Sequence, residues 1–85
     1  MKIVLQVKTD EKGNNRCFLS LDKEGLIYLR DMLGEPHLRK KGDHVHLFTE
    51  EWGGYGLDSR PYFEGCPVIH HLELYYLGQE NEPNG

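Results

Sequence analysis

The hydrophobic period of this chain changes twice, and those two changes limit what it can become. Residues 2–8 set Ile3, Leu5 and Val7 against Lys2, Gln6 and Lys8, the period of two that marks a half-buried strand. A polar stretch from Thr9 to Asn15 follows, with the turn signal Lys12-Gly13-Asn14-Asn15. Alternation then resumes, with Cys17, Leu19 and Leu21 on one face and Arg16, Phe18 and Ser20 on the other. Two strands joined by a short polar loop predict an antiparallel hairpin. Next the period becomes helical: Leu26, Leu29 and Leu33 form a stripe, widened by Ile27 and Met32. Asp22 or Ser20 is placed to cap the first turn, and Gly34-Glu35-Pro36 ends the helix. Gly25 would cost a helix interior about 1 kcal/mol, so it reads as a first-turn residue or a point of close approach.

Beyond a basic linker from Pro36 to Gly42, the period returns to two. In the strand from Asp43 to Thr49, Val45 and Leu47 alternate with His44, His46 and Phe48. Glu50 to Cys66 is the longest irregular stretch. A last strand, Pro67 to Leu77, sets Val68, His70, Leu72, Leu74 and Tyr76 against Ile69, His71, Glu73, Tyr75 and Leu77. The predicted order is ββαββ: an α+β domain over residues 1–78, with a flexible polar tail over 79–85. Only 38% of the 85 residues are apolar, and one helix on one face of a four-stranded, mainly antiparallel sheet lets so few close a core. The expected core joins Leu26, Leu29 and Leu33 to Ile3, Leu5, Leu19, Val45, Leu47, Leu72 and Leu74. The other sheet face, drawing on Val4, Phe18, His44, His46, Phe48, His71, Glu73 and Tyr75, stays open and offers a surface for a homodimer.

Fourteen acids against ten bases give a net charge of −4, which argues against nucleic-acid binding and suits a basic partner. No apolar run approaches a membrane span, and the short apolar N-terminus is no secretory signal. The chain reads as cytoplasmic. Two cysteines, Cys17 and Cys66, are too few for a disulfide framework and are expected to be reduced and partly buried.

Two surfaces carry candidate chemistry. His44-x-His46 puts two imidazoles on one side of a strand, about 7 Å apart, and His71 and Glu73 form a second pair. If those strands are neighbours, the four side chains could converge as a site for zinc or another first-row metal. His44, His46 and Glu50 also have the spacing of the first metal motif of cupin barrels, but the glycine before that motif and the second motif are missing. Nothing in the sequence locks the ligands in place, so metal binding is expected to be weak or absent, with no cofactor. The second surface is the long loop. Glu50, Glu51, Tyr55, Asp58, Arg60 and Tyr62 combine rings and an arginine, the composition of interface hot spots, with carboxylates that would steer a basic partner. Trp52 is expected to be at least half buried, holding that loop to the domain. Neither cysteine has an activating context, and Gly53-Gly54-x-Gly56 lacks the Lys-Ser/Thr of a P-loop. The chain reads as a non-enzyme.

Three stretches together resemble a known family: Leu19-Ser20-Leu21-Asp22-Lys23-Glu24-Gly25-Leu26, Asp43-His44-Val45-His46-Leu47 running on to Glu51-Trp52-Gly53-Gly54, and His70-His71-Leu72-Glu73-Leu74-Tyr75. They are similar to the immunity protein thirty-two family of bacterial polymorphic-toxin systems. The resemblance spans most of residues 2–77. It implies a small α+β antidote that binds and neutralises a cognate toxin, often a nuclease, and it brings no catalytic residues with it. The alternative on the residues themselves is a small metal-binding protein or metal-dependent enzyme built on His44, His46, His71 and Glu73.

Overall fold

The computed structural model describes residues 1–79; most of the predicted tail, residues 80–85, lies outside the described residues. Strands β1 (Ile3–Thr9) and β2 (Asn15–Leu21) form an antiparallel ribbon with Leu5 opposite Leu19 and Gln6 opposite Phe18. The turn between them is held by Asp10. Its carboxylate accepts from the Lys12 and Asn14 amides at 2.9 Å each, and Gly13 takes the left-handed conformation at φ 85°. Helix α1 (Lys23–Met32) starts at Asp22, whose side chain accepts the Gly25 amide at 2.7 Å, satisfying one of the free donors of the first turn.

The expected single four-stranded sheet is instead two sheets. The second contains β3 (His44–Thr49), antiparallel to β5 (His71–Tyr75) and parallel to the two-residue β4 (Gly56–Leu57). The reason lies in the predicted last strand, which divides between partners. Residues 67–69 run along the free edge of β1, with Val7 donating to the Pro67 carbonyl at 3.1 Å and Ile69 donating to Leu5 at 2.8 Å. Past His70 the same extended chain pairs with β3. The two sheets therefore meet along β1 without merging.

Ile3, Leu29, Leu47 and Leu57 make the buried core, with Leu21, Tyr28, Met32, Leu72 and Leu74 packed around it. Leu26, Leu33 and Leu19, expected inside, are 56%, 51% and 46% exposed. The helix is turned by Gly25. A Cβ there would stand 2.2 Å from the Lys2 carbonyl oxygen, so only glycine lets α1 lie this close to β1. The face that then meets the core is Gly25, Tyr28, Leu29 and Met32, an i, i+3, i+4, i+7 set, and Leu26 and Leu33, seven residues apart, fall together on its flank. Cys17, expected partly buried, is exposed, while Cys66 is half-buried; both thiols are free.

Behind the ribbon, on the face opposite the helix, Val4 and Gln6 are fully buried, Gln6 under the segment that leads into residues 67–69. Gln6 is the anchor: its amide donates to the Phe63 and Cys66 carbonyls at 2.7 and 2.9 Å and accepts the Tyr62 and Phe63 amides at 3.1 Å. One side chain thus replaces the strand partner that this loop lacks. The ring of Phe63 settles on Phe18, centroids 4.9 Å apart. Val4 and Phe18 consequently do not belong to the open face on which they were expected.

Candidate functional site

The outer face of the three-stranded sheet is built by strict alternation. Val45 and Leu47 face inward opposite Leu74 and Leu72, so His44, His46 and Phe48 face outward opposite Tyr75, Glu73 and His71. The His46–Glu73 and Phe48–His71 pairs sit directly across from one another, where side chains on one face interact most strongly. Rings then stack across the face: His44 on Tyr75 at 4.9 Å, Phe48 on His71 at 4.1 Å and His46 on His71 at 5.1 Å between centroids. Gly54 lies flat against Phe48, where a Cβ would come within 2.0 Å of the Phe48 Cβ.

Three of the four residues proposed as metal ligands come together. His46 Nδ1 is 2.9 Å from His71 Nε2, and His71 Nε2 is 3.4 Å from a Glu73 carboxylate oxygen. One ligand atom from each lies within 4.8 Å of the other two. The second Glu73 oxygen accepts the Tyr75 hydroxyl. That bond, with the nearby imidazoles, holds the Glu73 carboxyl below its ordinary range, and the same bond to the Glu73 carboxylate pushes the Tyr75 phenol up. His44 stays outside the trio, with Nδ1 3.2 Å from the Gly42 carbonyl. Glu50, which completes the cupin-like spacing, belongs to no such cluster among the described residues.

The residues singled out on the long loop divide between two places. Glu50, Glu51, Tyr55, Asp58 and Arg60 line one open groove together with Met1, Gly54, Leu57 and Ser59. A short 3₁₀ turn, Glu50–Trp52, presents the two glutamates and closes at Gly53 in the left-handed conformation. Tyr55 sets its edge against Tyr28 at 5.6 Å but is still 66% exposed. Asp58 is spoken for. Its amide donates to the Ile3 carbonyl at 2.7 Å, and its carboxylate accepts Arg60 Nε at 3.1 Å and the Arg60 amide at 2.9 Å. These bonds from Arg60 hold the Asp58 carboxyl at about 2. Tyr62 stands apart from the groove, edge-on to Phe63 over the ribbon.

Trp52, expected at least half buried, is 61% exposed. One face stacks on His70, nearly parallel at 5.5 Å, and the short turn carries the rest of the ring outward. His70 in turn holds the buried Thr49 hydroxyl through Nδ1 at 2.7 Å. Sequence reasoning also missed Gln6, Leu57 and Ser59. The available signal was Gly53-Gly54-x-Gly56, whose close backbone packing lets the loop fold back as β4 and form the groove wall.

Compared with known proteins, the chain matches no protein-family model, no curated protein and no solved structure. Among the described residues, no helix is long and apolar enough to cross a membrane.

Proposed function

We propose that this chain is an immunity protein, a cytoplasmic antidote that binds and neutralises a cognate bacterial toxin and acts by binding rather than by catalysis. The observation that carries this reading is the groove, in which Glu50 and Glu51 stand beside a Tyr55 ring left 66% exposed. A large amphipathic ring left in solvent is the kind of side chain that anchors a partner, and Glu50 and Glu51 beside it, which form no ion pair among the described residues, would steer a basic one. The net charge of −4 favours a basic target such as a nuclease, because opposite charge accelerates encounter. The resemblance of residues 43–47 and 51–54 to the immunity protein thirty-two family points the same way. Glu50, Glu51 and Tyr55 form the docking centre, with Trp52 on the same turn. Asp58 and Arg60 neutralise each other and shape the wall, and Tyr62 contributes only to a partner large enough to reach the ribbon.

The test is co-expression with a toxin-domain protein, sought first among the genes beside this one. The Glu50→Lys, Glu51→Lys double variant should slow association by about tenfold at low salt and less at high salt, and adding Tyr55→Ala should abolish protection. Full protection with unchanged association kinetics in the triple variant would place the toxin elsewhere.

A further inference from the structure

We propose that His46, His71 and Glu73 bind a divalent first-row transition ion, zinc being the test case, through His46 Nδ1, His71 Nε2 and one Glu73 carboxylate oxygen. The site shares no residue with the groove and holds or fails independently of the toxin reading.

The geometry supports this in three ways. First, ligand bonds of about 2.0–2.2 Å at tetrahedral angles put neighbouring donor atoms about 3.3 Å apart. The two measured separations, 2.9 Å between the imidazole nitrogens and 3.4 Å from His71 to Glu73, lie on either side of that value. The third separation, from His46 to Glu73, is within 4.8 Å, so an opening of the imidazole pair and a turn of the Glu73 side chain toward His46 would complete the set. Second, two imidazoles and a carboxylate are the donor set that suits zinc and its neighbours. Third, the ligands are held from outside the trio, which strand alternation alone could not provide. The Tyr75 hydroxyl fixes the Glu73 oxygen that would not ligate, His44 stacks behind Tyr75, and Phe48 stacks on His71. Such supporting contacts orient ligands and typically contribute 10–100-fold in affinity.

Binding requires lone pairs on both nitrogens. In the bound form His46 carries its proton on Nε2 and His71 on Nδ1, so from two neutral rings the one that donates in the His46–His71 hydrogen bond changes tautomer and no net proton is lost. All three donors lie on the outer face of the sheet, so the fourth position of a tetrahedral ion points away from the protein and takes water.

The test uses the untagged, metal-free full chain titrated with zinc chloride. Calorimetry should show one ion per chain with micromolar or tighter affinity. Nitrogen-15 spectra of the imidazoles should show the zinc-induced shifts on His46 Nδ1 and His71 Nε2. The His46→Ala, His71→Ala double variant should lose at least about 100-fold, and Tyr75→Phe about tenfold, whereas His37→Ala, in the linker, should change nothing. Affinity retained in the double variant, zinc shifts confined to other histidines, or no saturable binding by the wild-type chain would each overturn the proposal. The wild-type spectra decide the matter even if the double variant fails to fold.

Discussion

The ribbon and the three-stranded sheet each have one face turned from the helix, and those two faces have opposite fates. Behind the ribbon, Gln6 is sealed under residues 62–66, and the seal is polar: four hydrogen bonds converge on this one glutamine. Behind the three-stranded sheet no such cover is laid among the described residues beyond Gly54 against Phe48, and His44, His46, Phe48, His71 and Tyr75 stack on one another there. Among the described residues the longest connection available as a cover is 58–70. Gln6 commits that loop to the ribbon. The histidine face stays bare because the cover is used elsewhere, and mutually stacked, hydrogen-bonding rings tolerate water where aliphatic residues would not.

The largest test of this contrast is Gln6→Ala. It strands two carbonyls and two amides under the loop, each worth roughly 1–3 kcal/mol if left without a partner. Water entering beneath the loop recovers part of that, so we expect a loss of about 3 kcal/mol in denaturant unfolding, with faster amide exchange at Phe63. A loss below about 1 kcal/mol would mean that Phe63 on Phe18 holds the cover instead.

An intermediate effect comes from Asp58, which ties the start of the same loop to Ile3. Its carboxyl is depressed from 3.8 to about 2 in the folded chain. The charged form therefore stabilises the fold above the unfolded value, and that contribution disappears as pH falls from about 4 to about 2. The melting temperatures of the wild-type chain and Asp58→Asn should differ at pH 6 and converge near pH 2. A constant gap across that range would show that the carboxylate charge is not what Arg60 recognises.

The smallest effect belongs to the open face. His46→Ala has no buried contact to lose, so in the absence of metal it should change stability by no more than about 0.5 kcal/mol. A larger loss in thermal melts would mean that the ring stack supports the sheet, and the contrast between the two faces would have to be redrawn.

The sequence made some of this plain and hid the rest for identifiable reasons. Alternation through Val45 and Leu47 assigned every residue of β3 to its face, and pairing with β5 followed the same rule, so the juxtaposition of His46, His71 and Glu73 was legible once the strands were neighbours. The capping role of Asp22 was legible too. Three features were not. Gln6 looks like a solvent-facing residue because a period of two distinguishes faces but cannot say that a distant loop covers the polar one. Leu26 and Leu33 look like core because helical spacing defines a stripe whose rotation is set by contact, here the approach of Gly25 to the Lys2 carbonyl. Gly56–Leu57 is too short to show any period, so the parallel strand that shapes the groove has no signature beyond its glycines.

The crossing at His70 also bears on the order in which the protein can assemble. The β1–β2 ribbon closes a short loop and can form as soon as the ribosome has released it. The other edge of β1 must wait for residues 58 and 67–69, which arrive only after most of the described chain has been made. Until then the side-chain amide of Gln6 is answered only by water, and one edge of β3 has no β5 beside it. Contacts this far apart along the chain slow folding, because the entropy of closing the loop is lost before any contact compensates for it. Once residues 67–75 emerge, a single continuous stretch zips onto β1 with its first part and onto β3 with its second. The nascent chain should therefore pass from an isolated hairpin to a complete domain in one late step, and any delay at that step leaves the edges of β1 and β3 free to find strands on neighbouring chains.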